Sequence, residues 1–76
     1  MLSKFNEIFC ETLEIQPDEA EAASTETVET WDSLHHMNLV AALEDEFSIE
    51  LEPEEVMEMT SYKAVLETLR KHGVAL

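Results

Sequence analysis

Apolar residues recur towards both ends of this chain at the three- and four-residue spacing of amphipathic α-helices. A first helix is predicted from about Ser3 to Leu13, and one face of it is formed by Leu2, Phe5, Ile8, Phe9, Thr12 and Leu13. A last helix begins after Thr60 or Ser61, because either hydroxyl residue can cap it. The residues on its inner side are Tyr62, Val65, Leu66 and Leu69. Gly73, the only glycine, follows as a stop signal for this helix.

Two further helices are predicted in the middle of the chain. The longer one runs from about Ser33 to Phe47. The other is short and starts near Pro53, a residue that is favoured in a first helical turn. It carries Val56, Met57 and Met59.

The segment of residues 14–32 is long for a connection inside a compact domain, and it is rich in Glu, Ala, Ser and Thr. Ile15, Val28 and Trp31 are expected to fasten it to the core, since burying each of them is worth roughly 1.5–3 kcal/mol. No convincing strand pattern is present. The sequence therefore predicts one all-α domain over residues 1–76, a four-helix bundle with three main helices, one short third helix and a long first loop.

The second helix has two apolar faces. One sector is expected to face the core and contains His36, Leu39, Val40, Leu43 and Phe47. A different sector contains Leu34, Met37 and Ala41, with Asn38, Glu44 and Asp45 beside it. Three aligned apolar residues with carboxylates around them favour a docking surface for another protein over chance exposure.

Charge narrows the choice of partner. The chain has 18 acidic and 4 basic residues, a formal net charge of −14, and all but one of the acidic residues lie between Phe5 and Tyr62, a span without Lys or Arg. Nucleic acid and anionic membrane surfaces are therefore disfavoured as direct ligands, whereas basic proteins are complementary. A purely solubilising role of the charge stays open.

Cys10 is the only cysteine, and no apolar run reaches membrane-spanning length. We therefore expect a cytosolic protein with Cys10 as a packing residue and no membrane insertion.

Ser33 lies where the second helix begins, and two interpretations remain open for it. It can cap the helix, although Asp32 could do so equally well. Alternatively, a phosphodiester on Ser33 would lie near free backbone N–H groups at the positive end of the helix dipole. Catalysis by the chain itself has little support, because His35 and His36 point in different directions and a glycine-rich loop is absent. His35 is expected to be exposed near Ser33, and His36 to be packed.

Metal binding is not predicted. His35, His36 and His72 lack zinc-site spacing, and the acidic runs lack the glycine of a calcium loop.

These residues carry a family resemblance. The run Trp31-Asp32-Ser33-Leu34 resembles acyl carrier proteins, and the match continues at family spacing through the second, third and fourth helices, over about residues 5–72. Its later members are Leu39-Val40, Ala42-Leu43-Glu44, Glu46-Phe47 and Thr60-Ser61.

The resemblance implies an acyl-carrier-like bundle in which Ser33, within the Asp32-Ser33-Leu34 motif, receives 4′-phosphopantetheine from coenzyme A. The implied partners are a phosphopantetheinyl transferase, an acyl-loading ligase or acyltransferase, and a downstream synthase or transferase with a basic docking surface. The chain would then be a carrier without catalytic turnover. The positions that match partner contacts in the family are Leu34, Met37, Ala41, Glu44 and Asp45.

Two departures point to a stand-alone carrier of a dedicated pathway. Carriers of bacterial fatty acid synthesis usually have a small residue where this chain has Trp31 and an acidic residue where it has His35. Trp before Asp-Ser is similar to D-alanyl carriers and to stand-alone carriers. The cargo stays open between an acyl group and an aminoacyl, peptidyl or D-alanyl group. An unmodified acidic interaction module is the remaining alternative, in which Ser33 only caps the helix.

Overall fold

The computed structural model describes residues 2–76 and contains the four predicted helices. They are α1 (Leu2–Leu13), α2 (Ser33–Phe47), α3 (Pro53–Glu58) and α4 (Tyr62–Lys71). A short 3₁₀ turn at Pro17–Glu19 was not predicted. The described residues form no strand, and their only β-bridge pairs Ser24 with Ser61. The fold is therefore the small all-α bundle that the apolar spacing predicts.

Aromatic side chains join the long loop to the helices at the centre of the core. The Phe9 ring meets Trp31 edge to face at a centroid distance of 5.4 Å, and it meets Tyr62 in the same way at 5.2 Å. Phe5 packs against both Phe9 and Tyr62. The Tyr62 hydroxyl donates to Asn6 Oδ1 at 2.6 Å, so this ring also satisfies its polar end. Such pairs contribute beyond the area they bury, which suits a chain of this size.

The long loop is fastened as the sequence predicts, with added polar contacts. Trp31 is buried, and Ile15 and Val28 pack against the core. The loop also pairs with the start of α4, where Thr25 N–H donates to the Thr60 carbonyl at 2.9 Å. At the other end, Thr30 Oγ1 donates to the Leu13 carbonyl at the end of α1. These contacts make the loop part of the packed structure.

The helix ends show which polar residues act as caps. Asp32 caps α2 through a bond from His35 N–H at 2.9 Å. Ser61, not Thr60, caps α4 by accepting from Ala64 N–H at 3.1 Å. The open choice between Asp32 and Ser33 is thereby decided for Asp32.

The faces of α2 agree with the prediction. Leu39, Val40 and Leu43 are buried, while His36 and Phe47 are half-buried. Cys10 is also buried, and burial raises the pKa of its thiol, as fits a packing residue. Of the helices within residues 2–76, none combines the length and the apolar character needed to cross a membrane.

Candidate functional site

Ser33 is the first residue of α2 and is exposed. Asp32 performs the capping role, and no side-chain hydrogen bond of Ser33 occurs among residues 2–76. The first backbone hydrogen bond of α2 is donated by His36 N–H to the Asp32 carbonyl, and His35 N–H donates to the Asp32 side chain. The N–H groups of Ser33 and Leu34 are thus the ones without an intrahelical partner. A negatively charged group on Ser33 fits this end of the helix.

The His35 ring contacts two carboxylates beside Ser33. Its Nδ1 lies 2.8 Å from Asp32 Oδ1, and its Nε2 lies 3.7 Å from Glu14 Oε2. The hydrogen bond to Asp32 raises the pKa of His35, and bonds from the His35 backbone and ring lower the pKa of Asp32. The His35 side chain is only 24% exposed, so the expectation of an exposed residue was wrong. The reason is Glu14, which follows the end of α1 with a φ of 59° and meets the His35 ring.

His36 bridges the two walls of a groove beside Ser33. Trp31 Nε1–H donates to His36 Nδ1 at 2.8 Å, and His36 Nε2 lies 2.7 Å from the Val56 carbonyl of α3. The prediction of a packed His36 is confirmed. The contact with Val56 could not be predicted because it joins residues 20 positions apart along the chain, and the contact with Trp31 depends on the conformation of the loop just before α2.

The groove has a volume of about 410 Å³. Its lining combines an indole, aliphatic and thioether groups with a few hydroxyls, and the residues are Thr25, Trp31, Asp32, Ser33, His36, Val56, Met57, Met59 and Thr60. A polar, flexible chain attached to Ser33 can lie along such a surface, because both apolar and hydrogen-bonding groups are present. The residues at this site therefore fit a phosphodiester-linked group on Ser33.

The predicted docking strip on α2 is exposed at its apolar positions. Leu34 is 68% and Met37 54% exposed, and Ala41 is exposed as well. Asp45 is exposed, whereas Glu44 is half-buried and accepts a bond from Leu51 N–H at 2.8 Å. Glu44 thus holds the turn after α2 in addition to any contact with a partner.

Met57 on α3 is a site residue that sequence reasoning missed. It is 78% exposed, more than any other large apolar residue described, and it lines the groove with Ser33. A helix of six residues is too short for its spacing to show which side faces the solvent. The sequence signal was an apolar residue next to Val56 in a short acidic helix, and that signal does not separate core from surface.

The ring nitrogens near Ser33 are engaged elsewhere. His35 Nδ1 faces Asp32, and both nitrogens of His36 have other partners. Neither ring therefore forms the serine–imidazole contact that a nucleophilic serine needs. In the part of the chain that the structure describes, no group of three His, Cys, Asp or Glu side chains could hold a metal ion.

The fold and the site define a class of protein, a small helical domain that presents an exposed serine at the start of a helix. A comparison with protein families identifies the family. The model for the phosphopantetheine attachment site matches residues 3–69, which is most of the chain. The protein therefore belongs to the phosphopantetheine-binding family of carrier domains, which includes the acyl carrier proteins, and the resemblance seen in the sequence is confirmed. No match was found among curated proteins.

Members of this family carry 4′-phosphopantetheine as their prosthetic group, as the resemblance implied. They are carrier domains that meet transferases and synthases.

Proposed function

We propose that Ser33 is the attachment residue and that the protein is a discrete carrier of acyl or aminoacyl groups for one dedicated biosynthetic pathway. The observation that carries the proposal is the position of Ser33. It is exposed, it lines the groove, and it does not cap α2, because Asp32 does so. It also lies within the segment that matches the family model. The attached group supplies a terminal thiol that holds the cargo as a thioester.

For the attachment of phosphopantetheine, the chain has to do little more than present Ser33 in an accessible position. A transferase moves the phosphopantetheine part of coenzyme A to Ser33, so that a bond from the serine oxygen to phosphorus forms and the bond to the adenosine bisphosphate leaving group breaks. Asp32 fixes the start of α2, and the free N–H groups of Ser33 and Leu34 favour the resulting negative charge. Proton removal and leaving-group stabilisation are work for the transferase, because His35 and His36 are engaged elsewhere.

The partner surface in this proposal is the strip on α2 with Met57 of α3 beside the same groove. Exposed Leu34 and Met37 offer apolar contacts, and the net charge of −14 attracts basic partners. Apolar contacts hold the complex once formed, whereas the charge mainly accelerates its formation. A loading enzyme and a downstream synthase or transferase are expected to share this surface.

Of the two departures from the pattern of fatty-acid carriers, His35 supports a dedicated pathway more strongly than Trp31 does. Trp31 is buried against Phe9 and bound to His36, so its presence has a sufficient explanation in packing. His35 lies next to the attachment residue and places an imidazole between two carboxylates. A partner that approaches Ser33 therefore meets a different charge there than an acidic residue would give.

The test of the proposed function is an intact mass measurement. The full chain is incubated with coenzyme A, Mg²⁺ and a promiscuous phosphopantetheinyl transferase, beside the variant Ser33→Ala and the control Ser48→Ala. We expect one added phosphopantetheine in the wild type and in Ser48→Ala, and none in Ser33→Ala. A wild type that gains no mass would contradict the proposal and favour an unmodified interaction module, whose partner binding Ser33→Ala would not change.

A further inference from the structure

His36 is one side chain that connects three segments around the groove beside Ser33. It belongs to α2, it receives a hydrogen bond from Trp31 at the end of the long loop, and it lies within hydrogen-bond distance of Val56 in α3. Trp31 and Val56 both line the groove. The spacing between these two walls is therefore set by the two nitrogens of one imidazole ring.

The two partners allow only one form of the ring. The indole N–H of Trp31 can only donate, so His36 Nδ1 must carry a lone pair. The carbonyl of Val56 can only accept, so His36 Nε2 must carry the hydrogen. Only the neutral imidazole with its proton on Nε2 satisfies both contacts.

We propose that His36 is a positioning residue that fixes the groove beside Ser33, and that it does so only in its neutral form. A second proton would stand on Nδ1 and face the N–H of Trp31, so two donors would oppose each other. The bond to Val56 would persist, because Nε2 keeps its hydrogen. Protonation therefore releases Trp31 from His36 while α3 stays attached. The consequence for an attached group depends on the proposed function, whereas the junction itself does not.

The surroundings of His36 offer little compensation for the lost bond. The charged residue that lines the groove is Asp32, and its Oδ1 is already bound twice by His35. The long loop contributes the Trp31 indole and the Thr25 hydroxyl, and α3 contributes Val56 and Met57, of which none is ionisable. Trp31 packs on Phe9 of α1, so a displaced indole changes the groove wall next to Ser33.

The first test uses the unmodified full chain labelled with ¹⁵N. At neutral pH, the ¹⁵N shifts of His36 are expected to show a bare Nδ1 and a protonated Nε2. On acidification, the Trp31 indole N–H signal should move together with the ring ¹⁵N signals of His36. Its exchange with solvent, corrected for the intrinsic effect of pH, should accelerate about fivefold, as expected for the loss of one neutral hydrogen bond. The opposite tautomer in the wild type would overturn the proposal without any variant.

Three matched variants locate the effect. His36→Gln offers a carbonyl and an amide N–H but cannot take up a proton, so the pH response of the Trp31 signal should vanish. His35→Gln and His72→Gln remove the other histidines of the chain and should leave that response intact. A Trp31 signal that follows His35 or His72 instead, or that keeps its response in His36→Gln, would reject the role of His36.

A second readout separates this inference from the proposed function. In the modified wild type, the resonances of the attached arm are expected to change with pH in parallel with the ring signals of His36, and in His36→Gln they should not. Mass gain with an unresponsive Trp31 would refute the inference alone. A responsive Trp31 in a chain that gains no mass would refute the proposed function alone.

Discussion

At the scale of single residues, the segment around Ser33 divides its tasks among neighbours. Trp31 packs into the core, Asp32 caps α2, and His36 joins Trp31 to α3. Ser33 is left exposed and without a structural bond of its side chain in the described range. An attachment residue needs this separation, because modification of its hydroxyl then breaks no contact that holds the fold.

Because Asp32 and not Ser33 caps α2, substitutions at these two neighbouring residues should differ in their effect on stability. Ser33→Ala should leave the free energy of unfolding within about 0.5 kcal/mol of the wild type, as is usual for a surface change without a special contact. Asp32→Ala should lower it, because the N–H of His35 loses its partner. Urea unfolding followed by circular dichroism compares them. Equal destabilisation by both variants would mean that Ser33 shares the capping role.

The pair of His35 and Asp32 predicts a stability difference that depends on pH. The folded state raises the pKa of His35, so its stabilisation is complete below the unfolded pKa of about 6.5 and is lost as the pH rises through the folded value. The folded state lowers the pKa of Asp32, so its part is present above about pH 3.9 and is lost as the pH falls through the folded value. The pair is therefore strongest in mildly acidic solution.

The measurement is the difference in unfolding free energy between the wild type and His35→Gln from about pH 5 to pH 8. Taking the difference cancels the general repulsion of the acidic chain, which also changes with pH. We expect the advantage of the wild type to be largest at the acidic end and to shrink towards pH 8. A difference that does not vary with pH would contradict the proposed pairing.

At the scale of the elements, periodic spacing predicted the helices well and their polar ends less well. The bounds of α2 agree with the prediction because Asp32 marks its start and the apolar face continues to its last residue, Phe47. The contact of His35 with Glu14 could not be predicted, because it depends on where distant segments meet in space. The 3₁₀ turn at Pro17–Glu19 has local signals, since Pro17 lies at its start and Glu19 pairs with Gln16 in a capping box, but three residues are too few for a periodic pattern.

The cap of α4 gives a prediction with a control next to it in the chain. Ser61→Ala should cost about 0.5–2 kcal/mol, because Ala64 N–H loses its acceptor at the start of the helix. Thr60→Ala changes an exposed side chain that is not the cap and should remain within about 0.5 kcal/mol. Thermal unfolding of both variants is the measurement. A larger loss in Thr60→Ala would reverse the assignment of the cap.

At the scale of the whole molecule, a small core holds together a strongly acidic surface. In the part of the chain that the structure describes, seventeen hydrophobic residues form the buried core, with the aromatic rings of Phe5, Phe9, Trp31 and Tyr62 at its centre. Among residues 2–76, the one ion pair that involves Lys or Arg joins Lys4 to Glu7 at 3.2 Å on the surface. Most of the 18 carboxylates therefore have no Lys or Arg partner that offsets their repulsion. The charge that attracts basic partners also opposes compaction.

Because repulsion between the carboxylates opposes folding, we expect salt to stabilise the protein. Raising NaCl from about 10 mM to about 500 mM shortens the screening length from about 30 Å to a few ångström, so repulsion between carboxylates weakens and the Tm should rise. Choline chloride at equal ionic strength is the control, because a similar rise shows screening instead of a sodium effect. Mg²⁺ at matched ionic strength should raise the Tm further, since a divalent ion neutralises neighbouring carboxylates more effectively. A Tm that stays constant across these conditions would contradict the prediction, because it would show that repulsion between carboxylates does not measurably destabilise the fold.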